Sequence, residues 1–314
     1  MENKYKKKST FPKKINDKRK PLSIKSGSFA LFLSTIWSGN PVATKAGLLD
    51  CEPLRYGYLR FFLGGIINLS WAIATRKSFK LKMNEIKPLF LLGLLFTAQI
   101  AFLNFGQDFT TAGHGAIMIS TFPLWTSIFA HIFVPNDKLS KIRLIGTFIA
   151  YSGVVIVFSR ALFDTSNMNT IFIGDFFLII SAILLGLRQI YISQLGQIIS
   201  QHKLLIAQSI FGIIFFVIGS IVFENSEKFF LSTQLIVSLF YTGIIIAGLA
   251  FIGQTWLLKN YLPSRVTILS LSQPIFGIFF SWIILGESIG FELYLGAILV
   301  FFGSFLAQKN DKTN

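Results

Sequence analysis

From residue 29 almost to its end, the chain is a series of apolar runs about twenty residues long. A run of that length crosses the hydrocarbon core of a bilayer as a helix, and a helix satisfies its own backbone polar groups where no water can. No other feature constrains the fold as strongly. Only 14% of the 314 residues are charged, and the mean hydropathy is +0.63. A soluble protein of this size would alternate polar and apolar faces. A membrane β-barrel would alternate within segments of about ten residues. Neither pattern is present, so the expected fold class is all-α integral membrane.

Ten transmembrane helices can be read, near 29–49, 54–75, 88–107, 110–134, 141–159, 173–193, 203–223, 235–258, 262–284 and 292–307. Glu52-Pro53, Lys87-Pro88, Pro135-Asn136 and Leu262-Pro263 punctuate the connections. Charge tests the count. With a cytoplasmic N-terminus, 23 of the 29 Lys and Arg residues fall on the cytoplasmic side and only Arg55, Arg160 and Lys228 fall outside. That is the asymmetry the positive-inside rule requires, and a missed helix would blur it. Ten of the 23 lie in residues 1–28. This segment reads as a disordered basic cytoplasmic arm that sets topology near anionic lipid, not as a nucleic-acid binder or a cleaved signal. Residues 308–314 form a cytoplasmic tail.

The chain is also internally duplicated. In 119–153 and 269–303 the same pattern appears: a proline within an apolar helix, a short polar break, then a helix with two glycines seven apart. Pro123 matches Pro274 at an offset of 151, and Gly146 and Gly153 match Gly296 and Gly303 at 150. Asp137 thereby falls opposite Glu287. A weaker match at 149 sets Lys45 opposite Gln194. A self-match at half the chain length implies a repeated unit, here 29–159 and 173–307. Five helices per unit is an odd number, so the second copy enters the membrane from the opposite side. The expectation is two inverted five-helix repeats, an architecture in which substrate sites lie at the repeat interface.

Catalytic constellations are missing. The sequence has no HExxH, paired-cysteine, Walker A or GxSxG motif. Neither enzymatic activity, ATP hydrolysis, a metal nor a cofactor is expected. Cys51 is the sole cysteine, and His114, His131 and His202 are scattered, so each reads as an incidental polar residue. Charges inside spans are costly and tend to be functional. Lys45, Arg60 and Arg188 are the three, read either as a cationic cavity lining or as chains that snorkel to the interface or pair with Asp50 or Glu52. Asp175 reads as an acid at a helix N-terminus. Asn40, Gln99, Asn104, Ser120, Gln189, Gln254, Ser272 and Gln273 are uncharged polar residues that either bond helix to helix or line a cavity. Trp37, beside Asn40 and Pro41, is the candidate cavity aromatic. Pro123 and Pro274 are candidate hinges, since a proline inside a helix frees a carbonyl one turn upstream.

These residues resemble a known family. IWSGNPVATKAG, LRFFLGG, STFPLWTSIFA, NDKLS, LIGTFIAYSGVVIV, GDFFLIISAILLGLRQIYIS, SQPIFGIFFSWIILGESIG and LGAILVFFG, across 29–307, look like the drug/metabolite transporter superfamily in its EamA-like branch. The family pattern implies a Gly-Glu pair after the fourth and ninth helices. The second is met by Gly286-Glu287, whereas the first is replaced by Asn136-Asp137. The resemblance implies a bacterial inner-membrane carrier that works by alternating access, often as an exporter of amino acids or other small metabolites. The expected function is therefore secondary transport of anionic or zwitterionic solutes, by a monomer or homodimer whose partners are its substrate and the lipid bilayer. A membrane-embedded enzyme, a signalling scaffold and a lipid flippase are the competing classes. The flippase would need headgroup-binding cations near the midplane.

Overall fold

A computed structural model describes residues 19–110, 112–157, 168–224, 228–273, 275–276 and 291–308. Among them every named element is a helix, and two isolated bridges are the only β-type pairing. In order they are α1 (Ile24–Trp37), α2 (Asn40–Asp50), α3 (Pro53–Ala74), α4 (Met83–Phe109), α5 (Ala112–Ile119), α6 (Phe122–Phe133), α7 (Lys141–Val157), α8 (Met168–Leu195) and α9 (Gln201–Phe223). α10 (Thr233–Leu239) runs through a π-helical stretch, Phe240–Ala250, into α11 (Phe251–Asn260). α12 (Pro263–Ile268) tightens into a 3₁₀ turn, Leu269–Ser272, and α13 (Phe291–Gln308) follows. Six stretches among the described residues are long and apolar enough to cross a membrane: Pro53–Ala74, Met83–Phe109, Gly115–Phe133, Thr170–Leu195, Gln201–Phe223 and Thr233–Asn260. Phe176, Ile221, Phe223, Phe301 and Phe305 stand exposed on the outside, a surface that only lipid covers at low cost.

Several helices start earlier than expected, each for a local reason. α1 begins at Ile24 because Ser23 caps it: the Ser23 hydroxyl accepts from the Ser26 backbone N–H at 3.3 Å. The arm therefore ends before residue 28. Lys20 is pinned across Asn260 and Leu262 by two backbone bonds of 3.0 Å, and Arg19 Nη1 donates to Ser193 Oγ at 2.9 Å. α4 begins at Met83 because the Glu85 carboxylate accepts from the Lys82 N–H at 3.1 Å and pairs with Lys203 at 2.7 Å. Pro88 accordingly lies inside α4 and does not open it. α8 begins at Met168, so Asp175 is not a first-turn acid; its Oδ1 instead accepts from Thr110 Oγ1 at 2.9 Å. The arm's residues 1–18 and the expected features Pro274, Gly286 and Glu287 lie outside the described residues.

Two expected spans are broken. Ser38 and Gly39 separate α1 from α2, and Ser120 and Thr121 separate α5 from α6. Gly39 is needed at the first break, because a Cβ there would meet the Tyr241 hydroxyl at 2.8 Å. That hydroxyl donates to the Ile36 carbonyl. Pro123 sits in the first turn of α6, where its missing N–H costs nothing. Thr121 before it keeps helical dihedrals, φ −74° and ψ −16°, so α5 and α6 run on as one apolar stretch, Gly115–Phe133.

α7 packs against α13, α4 against α8 and α9, α3 against α9 and the π-helical stretch, α8 against α5 and α6, and α1 against the 3₁₀ turn. The α7–α13 contact is made backbone to backbone. A Cβ on Gly146 would lie 2.7 Å from the Gly303 carbonyl oxygen, and one on Gly153 would lie 2.6 Å from that of Gly296. Small residues allow this approach where lipid leaves packing as the chief attraction between helices.

Candidate functional site

The broken helices surround one interior cavity. Its wall draws on α1 and α2 from either side of the first break, on α5 and α6 across the second, and on α3, α4, α8, α9, α11, α12 and the 3₁₀ turn. Its free volume is about 80 Å³, below the roughly 300–1,000 Å³ of small-molecule sites, so the cavity is narrow in this form. Trp37, Asn40, Arg60, Gln99, Ser120, Arg188, Gln189, Gln254 and Gln273 all line it. These are nine of the twelve cavity residues expected from sequence.

Three expected residues are not in the wall, and each is engaged elsewhere. Lys45 Nζ donates to the Asp108 carbonyl at 2.8 Å. Asn104 Nδ2 donates to the Pro53 carbonyl at 2.9 Å, fixing α4 to the start of α3. Ser272 Oγ donates to Leu269 within its own turn at 2.6 Å. Gln194, the counterpart of Lys45, donates to the Phe133 carbonyl at 2.6 Å.

Arg60 and Arg188 dominate the site. Neither snorkels: Arg60 is 0% exposed and Arg188 5%. Arg60 is held from two sides, with Nε donating to the Thr242 carbonyl at 3.1 Å and Nη2 to Asn40 Oδ1 at 2.9 Å. Its Nη1 has no partner. Arg188 lies beside two aromatic rings, its Cζ 5.0 Å from the Phe96 centroid and 5.5 Å from that of Phe251, and the two rings meet each other edge to face at 6.2 Å. Its Nε and Nη1 are buried without a hydrogen bond. Trp37 stacks on the same Phe251 at 5.5 Å. Each cation–π contact returns about 0.5–2 kcal/mol. Removing a charge from water costs several kcal/mol even after relaxation. The Phe96–Phe251 pair therefore orients Arg188 without compensating its charge.

Two glutamines that sequence reasoning passed over complete the wall, Gln107 and Gln208. Gln107 has neither Nε2 nor Oε1 partnered, and Gln208 and Gln99 each have a free Oε1. Gln107 lies against Gly115, where any Cβ would collide with its amide. The signal for Gln107 was weak because it ended the expected helix 88–107, while α4 continues to Phe109.

One acid acts beside the site. Asp137 is 1% exposed. Its Oδ1 accepts from Arg143 at 2.8 Å and from Ser264 Oγ at 2.5 Å, and its Oδ2 accepts from the Ser264 N–H at 3.1 Å. It thus ties the α6–α7 connection to the first turn of α12, just before the cavity residue Val266. Asn136 has φ of 63°, the left-handed region that glycine occupies freely and asparagine at the least cost among other residues. The Asn-Asp pair therefore meets the backbone demand of the Gly-Glu pattern and keeps its carboxylate.

The profile of the EamA-like transporter family matches residues 25–159 and again residues 172–308. This chain belongs to that family. It is an integral membrane transporter and not an enzyme. An "Uncharacterized transporter YoaV" of Bacillus subtilis is 22% identical over 87% of this chain and 93% of its own length. A "Probable amino-acid metabolite efflux pump" of Salmonella typhimurium is 26% identical over 91% of this chain and 95% of its own. One crystal structure matches with a TM-score of 0.75 at 15% identity, covering 90% of this chain and 98% of that one. This last likeness bears on the fold alone.

Proposed function

We propose that the chain is a secondary, non-ATP-driven exporter of small anionic or zwitterionic metabolites, amino-acid-like solutes among them. It works by alternating access between two inverted repeats of five transmembrane helices each. Its place is a bacterial inner membrane, with both termini cytoplasmic. The observation that carries this reading is the interior cavity, walled by both halves of the chain and holding two buried arginines with unpartnered nitrogens. An ion so placed in a membrane protein marks a substrate path more often than a structural bond. The efflux pump named among the relatives supports the direction and the solute class.

Several observations favour the inverted repeat. The family profile matches the two halves separately. At the offset of 151, Ile119 and Phe122 fall opposite Ser270 and Gln273, and all four line the cavity. At 149, Asn40 falls opposite Gln189, and both line it. Gly146 meets Gly303 while Gly153 meets Gly296. Each glycine thus touches the counterpart of the other, as a two-fold axis requires, and the two helices run antiparallel. The helix pairs exchange in the same way: α3 on the π-helical stretch matches α9 on α4, and α8 on α6 matches α1 on the 3₁₀ turn.

Cysteine labelling tests the topology. Cys51 is fully buried, and burial pushes its thiol up to about 12. At pH 8 only about one part in 10⁴ is thiolate, the reactive form. The native protein should therefore take up essentially no maleimide, and denaturation should expose one equivalent. Uptake by the native chain would contradict this burial. On that silent background, cysteines placed at 136 and 287 are expected to label from opposite faces of the membrane; labelling from one face would end the inverted-repeat reading. Transport itself is tested by a metabolite-wide uptake and efflux screen of cells with and without the protein, and identical profiles would refute it.

A further inference from the structure

The charge of the cavity is one-sided. Arg60 and Arg188 line it, and among the described residues no aspartate or glutamate does. Arg188 Nε and Nη1 and Arg60 Nη1 have no partner. The other polar side chains in the wall are amides, hydroxyls and the Trp37 indole. Free oxygens on Gln99, Gln107 and Gln208 can receive a hydroxyl or amide of a cargo, but they neutralise nothing. A zwitterion would bring no net charge to the two guanidinium groups and would add an ammonium with no carboxylate to meet it. A carboxylate or phosphate would receive paired N–H donors from a planar guanidinium.

Resting on the transport reading above and narrowing its solute class to the anionic members, we infer that this cavity takes a cargo of net negative charge that carries no ammonium group, and moves it by anion-for-anion exchange. The second half follows from the first. In this form the unpartnered guanidinium nitrogens are buried, and an opening that admits water solvates them. Alternating access passes through an occluded form in which that water is shed. With an anion between the arginines the occluded form is balanced. Empty, it confines two like charges without a counter-charge, which is the expensive arrangement for any buried ion. The empty carrier is therefore held on one side, and an anion must return for each that leaves.

A four-carbon series separates the charge types at constant ionic strength: succinate, 4-aminobutyrate and putrescine, with glycerol 3-phosphate as the phosphate arm. Succinate or glycerol 3-phosphate is expected to raise the melting temperature of the purified full-length protein by several degrees, and whichever does so identifies the anionic group preferred. 4-Aminobutyrate and putrescine are expected to leave it unchanged. Arg188→Gln and Arg188→Met should abolish the anion response, and at least one should melt at or above the parent without ligand, since an uncompensated charge is gone. An equal response to 4-aminobutyrate, no response to either anion, a response retained in the variants, or lower melting of both unliganded variants would overturn the anion site. In proteoliposomes preloaded with the labelled anion that binds, efflux should rise at least tenfold when the same unlabelled anion is outside. Equal efflux into anion-free buffer would overturn exchange. Binding without movement in either condition would contradict the transport reading and leave the anion site standing.

Discussion

Gly303→Leu is expected to cut the yield of folded, monodisperse protein by an order of magnitude or more. A Cβ at Gly303 would meet the Ala150 backbone nitrogen, the Gly146 carbonyl oxygen and the Ala150 Cα, the last at 2.8 Å. All three are backbone atoms, so no side chain can rotate away. α7 and α13 would have to separate, and overpacking of a close contact costs about 1–3 kcal/mol or more. Between lipid-embedded helices no hydrophobic effect repays that loss, because the tails are as apolar as the side chains. Phe301 lies on the same helix but is 69% exposed, so Phe301→Leu should change nothing. Size-exclusion profiles of the two variants from equal amounts of membrane make the comparison. Equal yields would contradict the backbone contact.

Asp137→Ala is expected to lower the melting temperature strongly. The carboxylate holds Arg143, the Ser264 hydroxyl and the Ser264 N–H together. Removing it leaves the Arg143 guanidinium buried, with Nε already lacking a partner. Breaking one side of a buried ion pair costs about 3–5 kcal/mol. Asp137→Asn should cost less, because an amide oxygen still accepts from the Ser264 N–H. The melting temperatures in detergent should therefore rank parent, Asp137→Asn, then Asp137→Ala. If Asp137→Ala melts with the parent, the carboxylate is not the tie between the α6–α7 connection and α12.

The division between what the sequence revealed and what it hid has physical causes. Charges and amides stand out against an apolar span, so Arg60, Arg188, Gln99, Gln189 and Gln254 could be picked as interior residues. Which wall they face could not be read as easily. Lipid and bundle interior are both apolar, so the periodicity that marks the buried face of a soluble helix is weak here. Lys45 and Asn104 looked like cavity residues for that reason, yet both are spent on backbone carbonyls. The breaks at Ser38-Gly39 and Ser120-Thr121 are marked in the sequence only by Pro41 and Pro123 nearby. The π-helical Phe240–Ala250, whose Thr242 carbonyl positions Arg60, has no residue type that announces it. Asp137 stands out in the sequence only as the counterpart of Glu287 in a polar break. Its burial depends on Arg143 and on Ser264, 127 positions away, a contact that only the fold brings about.

The central claim is that the cavity around Arg188 is the transport path. The most direct measurement is flux in proteoliposomes of a metabolite identified in the cellular screen, at equal protein level, for the parent, Arg188→Ala and Lys45→Ala. Arg188→Ala, whose guanidinium lines the cavity, should lose at least tenfold, and Lys45→Ala, whose ammonium is engaged outside it, should keep near-parental flux. Parental flux from Arg188→Ala would contradict the claim.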